Sequence, residues 1–308
     1  MLGMLEELER RGQLHQIDCF AGISAGAILA AFCATRPVAE AVVELKSILI
    51  EHCSDAIRPH YKFLNVPLSA LFQKSILDDK GLAALLTQKL DKRALRAELY
   101  VGLTNETDMS YELHHFTTAA GDREGSLSIS QAVHASASIP VIFEGEEANG
   151  CHYSDGGVYH QIPSIAIERL LEKAHKEKQG VFDLTIISSS TWKYRPPASA
   201  SRMPYLAQKT LHYLDCVNYN NLPSDRELIK EAIELHKASM KIHFQMYAVP
   251  TKMLLELHER FTMGKLASMR TNDVDTLLQL GRHIIRADCA TYAIEQDEPS
   301  PFLTHLKY

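Results

Sequence analysis

The sequence predicts an α/β fold, and three observations carry that expectation. Short apolar, β-leaning runs alternate with helix-forming runs over the first 190 residues. The clearest case is "QIDCFAG" (16–22) leading into "SAGAILAAFCATR" (24–36), a strand, a tight glycine turn and a helix in succession. The composition, 46% hydrophobic and 23% charged over 308 residues, is that of an ordinary globular chain. Strands separated by helices favour a mostly parallel sheet.

The elements follow in chain order. "MLGMLEELERRGQ" is an amphipathic helix with Leu2, Leu5 and Leu8 on one side. It lacks the apolar core and small-residue cleavage site of a signal peptide. Residues 17–34 form an apolar run near the lower limit for a membrane span, but Asp18, Ser24 and two glycines interrupt it, so it reads as strand and buried helix. The elbow helix stops before Pro37, and a further helix runs from Val38 to about Cys53. Residues 54–77 read as loop and short helix around Pro59 and Pro67. "DDKGLAALLTQKL" (78–90) is an amphipathic helix with acids at its positive end.

"AELYVGLTNETD" (97–108) and "SYELHHFTTA" (110–119) are two strands around a polar turn. "SISQAVHASAS" (128–138) is a helix ended by Pro140. "CHYSDGGVYHQIP" (151–163) is a strand running into a glycine turn, 164–178 a helix, and "VFDLTIISSS" (181–190) a buried strand. The remainder is mainly helical, apart from a strand at "KIHFQMYAVP" (241–250). The expected organisation is an α/β domain over 1–190 with a helical insertion or cap at 37–96, and a mainly helical region over 191–308 packed on it. Aromatic and aliphatic residues of the insertion, Tyr61, Phe63, Leu64, Leu68, Leu71 and Phe72, either line an acyl groove or pack the cap down.

Composition excludes several functions. A net charge of -6 builds no broad basic surface for nucleic acid. The six cysteines, Cys19, Cys33, Cys53, Cys151, Cys216 and Cys289, are scattered, without CxxC or zinc spacing, and fit a reducing, cytoplasmic setting. No calcium loop, dinucleotide fingerprint or P-loop is present, so no cofactor or metal is expected.

Two motifs carry chemistry. Gly22-Ile23-Ser24-Ala25-Gly26 fits G-x-S-x-G, in which a serine on a sharp strand-to-helix turn adopts a strained backbone and the flanking glycines, Gly22 and Gly26, remove colliding side chains. The turn places the serine oxygen at a helix N-terminus, where N–H groups favour negative charge. The plainer reading is that Ser24 is only a helix N-cap. Ser154-Asp155-Gly156-Gly157 is the second motif, and by itself an Asp-Gly pair is an ordinary turn.

Taken together, Gly22–Gly26, "ASASIPVIF" and "SDGGV" resemble the patatin-like phospholipase family, and "LGMLEELERRG" is similar to that family's first helix. The resemblance covers about residues 2–190. It implies a Rossmann-like, three-layer α/β/α domain and hydrolysis of lipid acyl esters through a serine–aspartate dyad, with Ser24 the nucleophile and Asp155 the base. Burial would raise the aspartate's pKa toward a useful value, and the Gly156-Gly157 turn would let it approach Ser24. The implied partners are lipid acyl esters at a membrane surface, with peripheral contact only. A Ser–acid–His triad remains the rival, since His160 and seven later histidines follow Asp155.

The family's glycine-rich oxyanion loop lies between its first strand and first helix, and the sequence opens on that helix, at Met1. Three expectations follow: a longer natural N-terminus, a relative that binds lipid or protein without turnover, or a substitute donor such as the Ala25 N–H. His160 and Gln161 also stand where the family often has asparagine.

Overall fold

A computed structural model describes residues 1–14, 16–52, 58–59, 77–119, 123–124, 127–140, 142–189, 224–249 and 271–286. The elements are α1 (Leu2–Arg10), β1 (Cys19–Gly22), α2 (Ala25–Thr35), α3 (Val38–His52), β2 (Arg58–Pro59), β3 (Leu77–Asp78), α4 (Lys80–Leu90), β4 (Glu98–Asn105), β5 (Ser110–Phe116) and β6 (Arg123–Glu124). There follow α5 (Ile129–Ala137), β7 (Glu146–Ala148), β8 (Cys151–Asp155), a 3-10 turn (Gly156–Val158), α6 (Ser164–Lys176), β9 (Val181–Ser188), a helix α7 over 224–236, β10 (Lys241–Ala248) and α8 (Thr271–Arg286). The six groove residues expected within the insertion lie outside the described residues.

The α/β class stands, as a sheet flanked by helices in an α/β/α arrangement, but the sheet is mixed rather than mostly parallel. β4 is its axis. It pairs in parallel with β1 and antiparallel with β5 and β8; β6 and β7 extend the two ends. The short connections at 106–109 and 149–150 leave no room for a crossover, so they force antiparallel neighbours. A second, parallel pair joins β9 and β10 over eight residues in register, so the chain beyond residue 190 contributes a strand as well as helices. β9 is not the fully buried strand expected: Val181, Asp183 and Thr185 alternate on an exposed face.

Two apolar clusters hold these layers. The larger joins α1, α2, α3, α4, α5 and α8 across β4, with Met4, Leu8, Ala27, Phe32, Leu99, Val101, Leu103 and Ile284 at its centre. The smaller, around Ile167, Leu171, Ile186, Ile229 and Met246, seats α6 and α7 on the β9–β10 pair. α1 and α8 cross at backbone contact. A side chain at Gly3 would meet the Leu278 carbonyl at 2.2 Å, and one at Gly281 would meet the Met4 nitrogen at 2.8 Å. Arg282 to Glu6 and Arg286 to Glu7 then close that crossing by ion pairs.

The register of β4 builds the site. β5 covers one of its edges from Leu99 to Asn105. On the other edge β1 pairs with Glu98–Val101 and β8 with Leu103–Asn105. β1 runs with β4 and β8 runs against it, so their C-terminal ends point at each other. Gly22 ends opposite Val101 and Asp155 ends opposite Leu103, with only Gly102 between.

Candidate functional site

The two motifs, more than 130 residues apart in sequence, therefore meet at Gly102. Ser24 follows β1 and stands at the N-cap of α2 with φ 55 and ψ -132. A non-glycine residue in that region stores on the order of 1–3 kcal/mol and is held there only by its surroundings. Its side chain makes no cap hydrogen bond, so the plain N-cap role does not describe it. The Ser24 N–H instead donates to the Ser136 hydroxyl at 3.0 Å, and that hydroxyl donates to the Gly102 carbonyl at 2.7 Å.

The motif glycines divide. A Cβ on Gly22 would lie 2.3 Å from the Gly26 carbonyl oxygen and 2.6 Å from the Ala27 nitrogen, so this position admits no side chain. Among the described residues a Cβ on Gly26 would meet nothing within 4 Å, which corrects the expectation that both glycines relieve collisions. The difference arises because Gly22 faces the returning first turn of α2, whereas Gly26 lies on the turn's open side. The N–H groups of Gly26 and Ala27 are taken by the Ile23 and Ser24 carbonyls. Ala25 is exposed, and its N–H belongs to the first turn of the helix, whose donors have no intrahelical acceptor.

Asp155 ends β8 and is buried. Burial pushes its carboxyl up to about 6, against the pull of the Ser24 hydroxyl and the Gly157 N–H, both of which favour the ionised form. The Gly157 N–H donates to Oδ1 at 2.7 Å. Backbone contacts fix the residue on both sides: its N–H donates to the Ser138 carbonyl at 2.9 Å, and its carbonyl accepts the Thr104 hydroxyl at 2.8 Å. A Cβ on Gly156 would sit 2.4 Å from the Gly102 oxygen, and one on Gly157 2.9 Å from Asp155 Oδ1. Gly156 is thus required by close approach to the β4 backbone, whereas a side chain at Gly157 would press on the Asp155 carboxylate itself.

His160, the first histidine of the rival triad, is engaged elsewhere. Its Nδ1 lies 2.5 Å from Asp225, a fully buried carboxylate that also accepts the N–H groups of Gln161 and Ile162 and the Ser164 hydroxyl. Those bonds anchor the start of α7 to the loop after β8. Gln161 donates to the Gly157 carbonyl at 2.8 Å, so the residues expected to depart from the family pattern brace the glycine turn. Among the described residues no histidine is one of the groups that set the proton affinity of Asp155; His212, His258 and His305 lie outside the described residues.

α5 supports both motifs. A capping box between Ser128 and Gln131 starts it. Its buried Ser130 donates to Asp91 at 2.7 Å, and its buried His134 lies between Asp79 (3.1 Å) and Glu146 (2.7 Å). Burial opposes a charge on His134, but the two carboxylates outweigh it and push the imidazole up to about 9. The acid at the head of α4 serves this pair: Asp79 makes no cap bond of its own. Sequence reasoning missed Gly102, Ser136 and Ser138. The only available signal was the pair of serines in an otherwise small, apolar helix end.

Among the described residues no cluster of three or more histidine, cysteine or acidic side chains could hold a metal ion. No described helix is long and apolar enough to cross a membrane. A strand, a strained serine at a helix N-terminus and a buried carboxylate converging on one backbone position define an α/β protein of the serine-elbow class. A family model described as patatin-like phospholipase matches residues 1–165, more than half of the chain, and the protein belongs to that family of lipid acyl hydrolases. No curated protein matches it.

Proposed function

We propose that the protein is a serine acyl hydrolase that cleaves carboxylic esters of lipids through an acyl–Ser24 intermediate. The convergence of Ser24 and Asp155 on Gly102 is the observation that carries this reading. Asp155, with a pKa of about 6, is ionised at neutral pH yet basic enough to accept the Ser24 proton as the hydroxyl attacks the ester carbonyl. The charge that develops on the carbonyl oxygen faces the N-terminus of α2, where the Ala25 N–H is the candidate donor. The leaving alcohol takes the proton from Asp155. Water then enters and gives its proton to the same carboxylate as it attacks the acyl carbon; Asp155 returns that proton to the Ser24 oxygen as the acyl–serine bond breaks and the fatty acid leaves. The substrate is a lipid ester met at a membrane surface, in a cytoplasmic setting.

A second reading, an ester-binding domain without turnover, draws on one observation. Of the four amides from Ser24 to Ala27, those of Ser24, Gly26 and Ala27 are already bonded, which among the described residues leaves the Ala25 N–H of that turn as the donor toward a substrate. Turnover of a short-chain nitrophenyl ester separates the two. The hydrolase reading expects hydrolysis by the wild type, lost in Ser24→Ala and in Asp155→Asn while both variants melt cooperatively. Hydrolysis that persists in Ser24→Ala would overturn it, and lipid binding without hydrolysis, unchanged in Ser24→Ala, would favour the second reading.

A further inference from the structure

One turn of α5 holds the backbone of both motif residues. Ser136, fully buried, accepts the Ser24 N–H and donates to the Gly102 carbonyl; two residues later, the Ser138 carbonyl accepts the Asp155 N–H. The Ser24 N–H needs such a partner. It has left the β1–β4 ladder, whose last pair is Gly22 with Val101, and it precedes the helical bonds of α2. The hydroxyl at position 136 supplies the acceptor from 112 residues away, and through its second bond it ties the elbow to the position where β1 and β8 meet.

α5 is a rigid support for this role. Ser130 fastens it to Asp91 at the end of α4, and His134 fastens it to Asp79 and Glu146. A residue in a strained backbone region persists only when its surroundings over-determine it. The Ser136 hydroxyl is the side-chain group that bonds the Ser24 backbone directly.

We propose that Ser136 is a positioning residue for acyl transfer: its hydroxyl locks the Ser24 backbone in the elbow conformation and so sets the distance between the Ser24 oxygen and Asp155. The proposal rests on Ser24 being the nucleophile. If Ser136 served only to pack α5, removing its hydroxyl would lower stability and leave the turnover of each intact site unchanged.

The test uses Ser136→Ala, with Ser136→Cys as a variant of similar volume that keeps a weak hydrogen-bonding group. Active sites are counted by fluorophosphonate titration, and nitrophenyl ester kinetics are expressed per titrated site. Amide hydrogen exchange at Ser24 is followed by NMR as a readout that does not depend on activity. Ser136→Ala is expected to lower kcat about 10- to 100-fold, the scale of a small misplacement of a reacting group, with KM within about twofold. Its Ser24 amide should exchange at least about tenfold faster, and Ser136→Cys should fall between it and the wild type. A kcat per site within about twofold of the wild type in folded Ser136→Ala, or a Ser136→Cys variant slower than Ser136→Ala, overturns the proposal. If the wild type takes no label at Ser24 while the Ser24 amide still loses protection in Ser136→Ala, the nucleophile reading fails and the positioning role with it, although the backbone contact is real. Labelling at Ser24 with unchanged kinetics would instead remove only the role of Ser136.

Discussion

Substituting alanine at each glycine of the serine elbow should give opposite results. At Gly22 the new Cβ would lie 2.3 Å from the Gly26 oxygen, 2.4 Å from the Gly26 carbonyl carbon and 2.6 Å from the Ala27 nitrogen, all backbone atoms. Non-bonded heavy atoms settle near ~3.5 Å, so roughly 1 Å must be found by opening the turn between β1 and α2. Overpacking of this kind costs about 1–3 kcal/mol. It also displaces Ser24, so turnover should fall by about 100-fold. At Gly26 no atom of the described residues lies within 4 Å of the added methyl, and the residue is already helical, so the change should stabilise the protein by about 0.5–1 kcal/mol. Urea unfolding at pH 7 and ester turnover on both variants measure this. Equal destabilisation by the two substitutions, or a Gly22→Ala variant with wild-type stability and activity, would refute the steric account of the elbow.

Three further outcomes follow from the geometry. With the Asp155 carboxyl titrating near pH 6, kcat/KM should fall roughly tenfold from pH 7 to pH 5, as the ionised fraction drops from about ten-elevenths to about one-eleventh; an acid limb near pH 4 would mean that burial does not set this carboxyl. His134, raised from 6.5 to about 9, contributes stability that is complete below pH 6.5 and is lost as the pH rises through 9. Melts between pH 6 and pH 10 should show a loss of up to about 3 kcal/mol, absent in His134→Gln; an identical slope in the variant would disprove the role given to Asp79 and Glu146. Gly156→Ala drives a Cβ to 2.4 Å from the Gly102 oxygen and should separate β8 from β4, with turnover lost more steeply than stability. Stability lost with turnover intact would show that Asp155 does not depend on that approach.

Much of this was written locally in the sequence. The strand–turn–helix at 16–36 was legible because strand propensity, small helix formers and Pro37 all act within a few residues. The β7–β8 hairpin carries an equally local signal: Asn149-Gly150 is a two-residue turn, and both residues adopt positive φ (51 and 78) in the structure. The direction of the sheet was misjudged because alternation of strands and helices speaks for parallel crossovers, whereas short connections decide pair by pair. What could not be read was the meeting at Gly102. It depends on β1 and β8 sharing one edge of β4, a fact of register between segments over 130 residues apart. The same holds for Ser136, whose partner is 112 residues away. Gly3 is another such case: nothing local in the first helix calls for a glycine, and its use is the crossing with α8, more than 260 residues away.

The central claim is that Ser24 is a nucleophile activated by Asp155. Mass spectrometry of the protein treated with a fluorophosphonate probe tests it most directly. The expected result is a single phosphonyl adduct on the peptide carrying Ser24, absent in Ser24→Ala and formed at least about 100-fold more slowly in Asp155→Asn. Folded wild-type protein that takes no adduct, or takes it on another residue, would contradict the claim.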